Sequence, residues 1–388
     1  MNGRERLLIT LNGNPADRVP VAPFLYCNNV YEMFGYEPPI DTFWDPPDFD
    51  VIIKFVEYCD VFGFDVLHTL GSVWDFGMNT FLDRSVVRSA ENWDVTIADQ
   101  KKEDEWHRTI TIRTPGGELR HTENYKRSST YLIVSAPEEH LIKTKRDFAL
   151  LRRYAPPGDD MDCSLIRRAR QAVGDKGLVD SNTGGVFATA SVFRKLDELY
   201  MDPILDEGFY REMMAYFLER TIRRDHKMVE AGADAIEVAG HLVGSMAGPL
   251  FASQYVMEYE QRLVKAIRAM GVPVIFHNCG DAAKVMHLYN DLDINCWGYL
   301  TPPPYGDVDL DEALRVMRPD MALRGNIDQV EFMVKATPEQ VKERVREVLL
   351  KVKPRGNWIL STTDFFFDGT PYENIHAFAE AGLAYGQY

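Results

Sequence analysis

Cysteine is scarce: Cys27, Cys59, Cys163, Cys279 and Cys296 are the only five in 388 residues. So few thiols at such irregular spacing exclude a disulfide framework and leave reduced cysteines as the expectation. Long apolar runs are missing as well. No stretch approaches the roughly 18 uninterrupted apolar residues of a bilayer span, and the opening MNGRERLLITLNG lacks the apolar segment of a signal peptide. Positive charge is in deficit, with 43 lysines and arginines against 59 acidic residues. The resulting −16 argues against general attraction to nucleic acid or anionic membrane. Internal repeats, low-complexity tracts and proline-rich linkers are absent. What remains, 45% hydrophobic and 26% charged, is the composition of a folded globule, expected to be cytoplasmic.

Short β-rich runs alternate with helical patterns. Strands are expected near Val19–Leu25, Asp65–Leu70, Gly177–Asn182, Ala233–Val238, Pro273–His277, Ile294–Gly298, Met321–Gly325 and Trp358–Ser361. Thr337-Pro338-Glu339-Gln340 and Thr370-Pro371-Tyr372-Glu373 each read as an N-cap, a proline at N1 and a capping-box partner at N3. Behind the first, Val341, Val345, Val348 and Val352 mark one apolar helical face. Eight strands with helical connections predict an α/β fold, a closed (β/α)8 TIM barrel, with an open doubly wound sheet as its rival. Residues 84–132 break the pattern: Thr109-Ile110-Thr111-Ile112 alternates before the turn Pro115-Gly116-Gly117, predicting antiparallel hairpins inserted into a single barrel domain spanning 1–388.

Barrel enzymes place their chemistry at the C-terminal ends of the strands. The fifth expected strand ends in His277-Asn278-Cys279, and a His-x-Cys pair in extended chain sets imidazole and thiol on one side, a donor set suited to zinc. The eighth ends in Asp364, followed by Phe365-Phe366-Phe367. Asp364 and Cys296 compete as the third ligand, and Cys296 beside Trp297 also fits core packing. Glu237 and His241 leave the fourth strand, and Asn326-Ile327-Asp328 leaves the seventh.

The opening Arg4-Glu5-Arg6, Asp17-Arg18-Val19-Pro20-Val21, Phe276-His277-Asn278-Cys279-Gly280-Asp281, Gly325-Asn326-Ile327-Asp328 and the Thr370-Pro371-Tyr372-Glu373-Asn374-Ile375 helix start together resemble the uroporphyrinogen decarboxylase superfamily. They are most similar to its branch of zinc-dependent corrinoid methyltransferases. The resemblance implies a (β/α)8 barrel, Zn2+, and a corrinoid (cobalamin) supplied by a separate carrier protein, because no Asp-x-His-x-x-Gly corrinoid signature is present. It carries over His277 and Cys279 as metal ligands. Where that branch has a distant cysteine, counting back from Thr370-Pro371 reaches Asp364. Decarboxylases resemble one another in an arginine-bearing segment after the first strand, and this chain reads Phe24-Leu25-Tyr26-Cys27-Asn28-Asn29 instead, so porphyrinogen decarboxylation is not expected.

A carboxylate ligand leaves zinc a harder Lewis acid than a third thiolate would, which favours an oxygen substrate. The expected reaction is O-demethylation, moving a methyl group from an aromatic methyl ether to cob(I)alamin. Glu237 and His241 are the candidate catalytic residues. Tyr26, Asn28, Trp297, Tyr299, Asn326 and Phe365 are the candidate substrate contacts, and His277, Cys279 and Asp364 the candidate metal ligands. The alternatives are transfer from a methylcorrinoid to a thiol of the coenzyme M type, and a non-catalytic ligand-binding barrel. Expected partners are the carrier, a small-molecule methyl donor or acceptor, and a second copy in a homodimer, with no nucleic acid and no membrane.

Overall fold

The computed structural model describes residues 1–41, 48–70, 86–159, 161–240, 244 and 246–388. Seven parallel strands form one sheet: β1 (Val66–Leu70), β6 (Gly177–Gly184), β7 (Ala235–Ala239), β8 (Val274–His277), β9 (Cys296–Gly298), β10 (Ala322–Ile327) and β11 (Trp358–Thr362), neighbours in that order. Alternate residues of each strand face opposite sides, so the burial pattern reads out the shape of the sheet. Leu67, Leu178, Ala235, Ile275, Cys296, Ala322 and Ile359, one from every strand, share an apolar cluster with Leu7, Leu11 and Ala22. Seven strands can meet in one such cluster only if the sheet curls around it. The opposite face carries Val66, Val179, Ile236, Phe276, Trp297, Leu323 and Trp358 into the larger core beneath the helices.

The expected first strand, Val19–Leu25, is not a strand. Pro20 and Pro23 have no N–H, so no continuous ladder can form there. The segment keeps one bridge, Val21 to Leu360. Ala22 N donates to Leu360 O (3.0 Å), Leu360 N to Pro20 O (2.9 Å), and on the other flank Asp65 N to Val21 O (2.9 Å). The segment thus touches both β11 and the start of β1. The close approach of β1 and β6 requires a glycine: a Cβ on Gly177 would lie 1.7 Å from Val66 O.

The inserted region is a four-stranded antiparallel sheet of β2 (Asp94–Lys101), β3 (Glu105–Thr114), β4 (Gly117–Arg127) and β5 (Ile133–Glu139), in that order. It starts later and ends later than the boundaries 84–132. The Thr109–Ile112 alternation lies in β3, pairing with β2 on one side and β4 on the other. The β4–β5 connection reaches the loop after β11, where Ser129 Oγ and Tyr131 N donate to Asp368, just beyond the triple phenylalanine.

The helix Pro338–Val352 has the expected capping box, with Gln340 Oε1 accepting from Thr337 N (2.8 Å) and all four valines buried. Its counterpart differs. The last helix begins at Tyr372 with Pro371 as its cap, because the Thr370 hydroxyl donates back to Phe367 O (2.7 Å) rather than capping.

The helix Gly3–Leu11 covers the apolar end of the curl through Leu7 and Leu11. An ionic clasp fastens it: Asp65 Oδ1 meets Arg6 Nη1 at 2.5 Å, and Asp65 Oδ2 accepts from Arg18 Nη1 (2.7 Å) and Val21 N (2.9 Å). Arg6 also holds Asp17 at 2.7 Å, pulling that carboxyl down to about 2. Asp65→Ala strands two largely buried guanidiniums and should lower unfolding free energy by about 3 kcal/mol in urea titration. Asp17→Ala removes an exposed carboxylate and leaves Arg6 paired with Asp65, so the loss should be less than about 1 kcal/mol. Equal losses would contradict the clasp.

Candidate active site

Above the apolar layer, the inward positions of the same strands change character. Thr69, Asp180, Glu237, His277, Gly298, Arg324 and Ser361 form the next level, two residues further along each strand. Glu237 is its hub and is fully buried. Its Oε1 lies 2.9 Å from His277 Nδ1 and accepts from Asn182 Nδ2 (3.1 Å). Its Oε2 accepts from the Tyr299 hydroxyl (3.2 Å) and Arg324 Nη1 (3.4 Å). Arg324 is itself fixed by Ala22 O (3.2 Å) and stands 4.5 Å from the Tyr299 ring centre. Burial would raise the Glu237 carboxyl, but His277, Arg324 and Asn182 together hold it below its ordinary value. Asp180 meets the opposite fate. Among the described residues neither of its oxygens has a partner in hydrogen-bond geometry, and burial followed by the Glu237 charge pushes it up to about 7 against the pull of Arg324 and Thr69.

His277 ends β8, and burial disfavours its charge. Hydrogen bonding to Cys279 and Glu237 outweighs that and raises the imidazole well above its usual range. The turn carrying Cys279 is pinned by its neighbours. Asn278 N donates to Gly298 O (2.7 Å), Gly280 N to Thr301 Oγ1 (3.1 Å), and Ala282 N and Ala283 N to Asp307 Oδ1 (2.7 and 2.9 Å). Gly280 adopts φ +77°, the left-handed conformation glycine tolerates best.

Aromatic rings wall the pair. Phe24 and Tyr299 lie 5.6 and 4.7 Å from the His277 ring centre, and Tyr26 stacks on Phe365 at 5.3 Å. Tyr26 and Asp364 interact electrostatically, as do Asp364 and His277, so the end of β11 faces the end of β8. Asp364 Oδ1 accepts from the next backbone N–H, Phe365 N (2.8 Å), and burial raises its carboxyl. Among the described residues no three His, Cys, Asp or Glu side chains converge to hold a metal. The donors that fit zinc are therefore His277, anchored through Nδ1 as metal-binding histidines commonly are, and Cys279 beside it.

The remaining candidates divide. Tyr299 belongs to the site through Glu237 and His277. Asn28 is fully buried and spends its amide on Asp368 Oδ1 (2.7 Å) and Phe366 O (3.4 Å), tying the loop after β11. Asn326 lines a cleft of about 920 Å³ with Pro302, Asp328, Phe332 and Arg344, which contains neither His277 nor Cys279. Trp297 is not brought to the site. It sits one residue out of phase with the inward Cys296 and Gly298, so its ring turns to the helix side and packs on Tyr289 at 5.5 Å. Cys296 lies in the apolar layer, where burial pushes its thiol up to about 12. His241 lies outside the described residues. Glu237, a candidate catalytic residue, has both oxygens engaged. Arg324, Asp180 and Asn182 are the polar residues that sequence reading missed; their signal was charge or amide at inward parity within Leu-Val-Asp-Ser-Asn and Ala-Leu-Arg-Gly.

The description of the uroporphyrinogen decarboxylase (URO-D) family matches residues 135–385, and the chain belongs to that family. A methylated-thiol–coenzyme M methyltransferase from Methanosarcina mazei is 28% identical over 186 residues, 44% of this chain and 47% of that protein. The chain thus spans about half the length of that relative. A uroporphyrinogen decarboxylase from Anaeromyxobacter dehalogenans is 26% identical over 256 residues, 63% of this chain and 70% of that one. Among solved structures, a methyltransferase from Methanosarcina mazei superimposes with TM-score 0.69 at 16% identity, covering 99% of both chains. The relatives are enzymes of methyltransferase and of decarboxylase type, and the solved structure shows the shared fold. No helix among the described residues is long and apolar enough to cross a membrane.

The division between core and site can be measured. Trp297→Ala should cost about 3–5 kcal/mol of stability, as for other buried aromatics. Phe365→Ala should cost only about 1 kcal/mol, the worth of an aromatic stack. Urea unfolding of both variants checks this, and a larger loss for Phe365 would contradict it.

Proposed function

We propose that this chain is a zinc-dependent corrinoid methyltransferase that accepts the methyl group of an aromatic methyl ether and passes it to cob(I)alamin on a separate carrier protein. The observation that supports it most is the His277–Cys279 pair at the end of β8, with His277 Nδ1 anchored on the buried Glu237. His277 and Cys279 would hold the metal, with Asp364 as third ligand. Zinc bound there supplies Lewis acidity toward an ether oxygen. The reduced corrinoid on the carrier would supply the electron pair for the new bond to the methyl carbon, and the pair of the broken C–O bond would leave with the phenolate. The chain's own contribution is positioning and shelter. Glu237 and Asn182 keep the His277 ring in place, and Phe24, Tyr26, Tyr299 and Phe365 offer aromatic surface to an aryl group and exclude water. Proton delivery to the phenolate falls to His241 in this reading, because Glu237 is already engaged by four donors.

A second reading is transfer from a methylcorrinoid to a thiol, supported by the methylated-thiol relative. Decarboxylation of uroporphyrinogen is disfavoured by the absence of arginine from residues 24–29. In the same reading the segment at Val21 serves as an eighth stave between β11 and β1, completing a (β/α)8 barrel into which β2–β5 are inserted.

Mixing protein, zinc, cob(I)alamin and a panel of methoxyarenes without oxygen should give the methylcobalamin spectrum. Activity only from methylcobalamin to a thiol would replace the first reading by the second. Metal analysis should find about one zinc per chain, the stoichiometry of a single catalytic site. Cys279→Ala and Asp364→Asn should each lower that content, while Cys296→Ser should not. Loss on Cys296→Ser alone would make Cys296 the ligand in place of Asp364.

A further inference from the structure

We propose that Arg324 is a positioning residue for His277, acting at a distance through Glu237; its bearing on zinc rests on the reading of His277 as a ligand. Arg324 springs from β10 and Glu237 from β7, and they meet across the interior of the curled sheet with both side chains fully buried. Arg324 cannot drift, because Nη2 is held by Ala22 O and the guanidinium lies against the Tyr299 ring. Tyr299 in turn donates to the same Glu237 oxygen that Arg324 approaches. That leaves the other oxygen, Oε1, in one place, facing His277 Nδ1. The imidazole sits between Phe24, edge-on at 89°, and Tyr299 at 66°, so packing restricts the ring while Glu237 selects the nitrogen that faces it. Ligation by His277 then uses Nε2.

A buried carboxylate without its countercharge is costly. Arg324 supplies that countercharge and, with the Tyr299 hydroxyl on the same oxygen, fixes where the Glu237 carboxyl points. Removing an outer partner of a ligating histidine typically weakens metal binding about 10–100-fold. If Arg324 acts only through Glu237, its removal has no further effect once Glu237 is altered.

The test uses the full chain as wild type, Arg324→Met, Arg324→Lys, Glu237→Gln and the charge-balanced Arg324→Met/Glu237→Gln pair. Zinc affinity is read by competition with a chelating dye. Independently, proton spectra of metal-free protein should show a slowly exchanging downfield resonance from His277 Nδ1–H, assigned by its loss in His277→Gln. Arg324→Met should abolish that resonance and weaken zinc binding about 10–100-fold. Arg324→Lys, which keeps the charge but not the planar stacking, should fall between, and it carries the test if Arg324→Met does not fold. The double variant should bind zinc within about twofold of Glu237→Gln alone. An unchanged resonance in the Arg324 variants, its absence from wild type, or losses that multiply in the double variant would overturn the proposal. If wild type binds no zinc, the ligand reading of His277 fails, while the resonance still decides whether Arg324 positions the ring.

Discussion

A carboxylate that has given up water needs donors, and Glu237 has four from four different segments: Asn182, His277, Tyr299 and Arg324. That requirement orders the centre of the molecule. β6, β7, β8 and β10, with the segment after β9, must sit at mutual heights that let these side chains meet, and the register of the parallel sheet provides them. Asn182 pairs with Glu237, Ala239 with His277, and His277 with Gly298, which pairs with Arg324. The apolar layer one level below, sealed by the helix that the Arg6–Asp65–Arg18 clasp fastens, keeps water from the underside of the network. The charged level can thus be rigid without being solvated. A rigid, dry, polar level beneath a strand-end His-Cys pair is a way to hold ligating side chains before any substrate arrives.

Much of this was legible in residue order. The His277-Asn278-Cys279 run at a strand exit, the valine face behind Thr337-Pro338, and the alternation in Thr109–Ile112 all report local rules that the fold obeys. What the order of residues concealed is mostly a matter of phase and partner. Trp297 lies inside β9 at outward parity and packs on Tyr289, whereas Tyr299, of the same parity, lies past the strand end at Gly298, where alternation no longer governs, and reaches Glu237. Thr370 satisfies every rule for a cap, yet its hydroxyl finds a nearer carbonyl in Phe367. Val19–Leu25 has the composition of a strand but two prolines that deny it a ladder. Arg324 lies within the expected strand Met321–Gly325. Its meaning comes from Glu237, 87 residues away in sequence, and no local pattern carries that pairing.

Family membership fits this division of labour. A fold shared by decarboxylases and methyltransferases supplies the strand ends, and the chemistry is decided by the side chains set there. In this chain those are an imidazole and a thiol backed by an ionised network. Asp180, a second buried carboxyl, lies beside that network with its ionisation raised by burial and by the Glu237 charge.

The central claim is that His277 and Cys279 ligate one metal ion with no second sulfur. X-ray absorption at the zinc edge of zinc-loaded protein tests it most directly. The account predicts a single sulfur scatterer at about 2.3 Å, with nitrogen and oxygen neighbours at about 2.0–2.2 Å completing a four-coordinate shell. A shell of oxygen and nitrogen without sulfur, or one with two sulfurs, would contradict it.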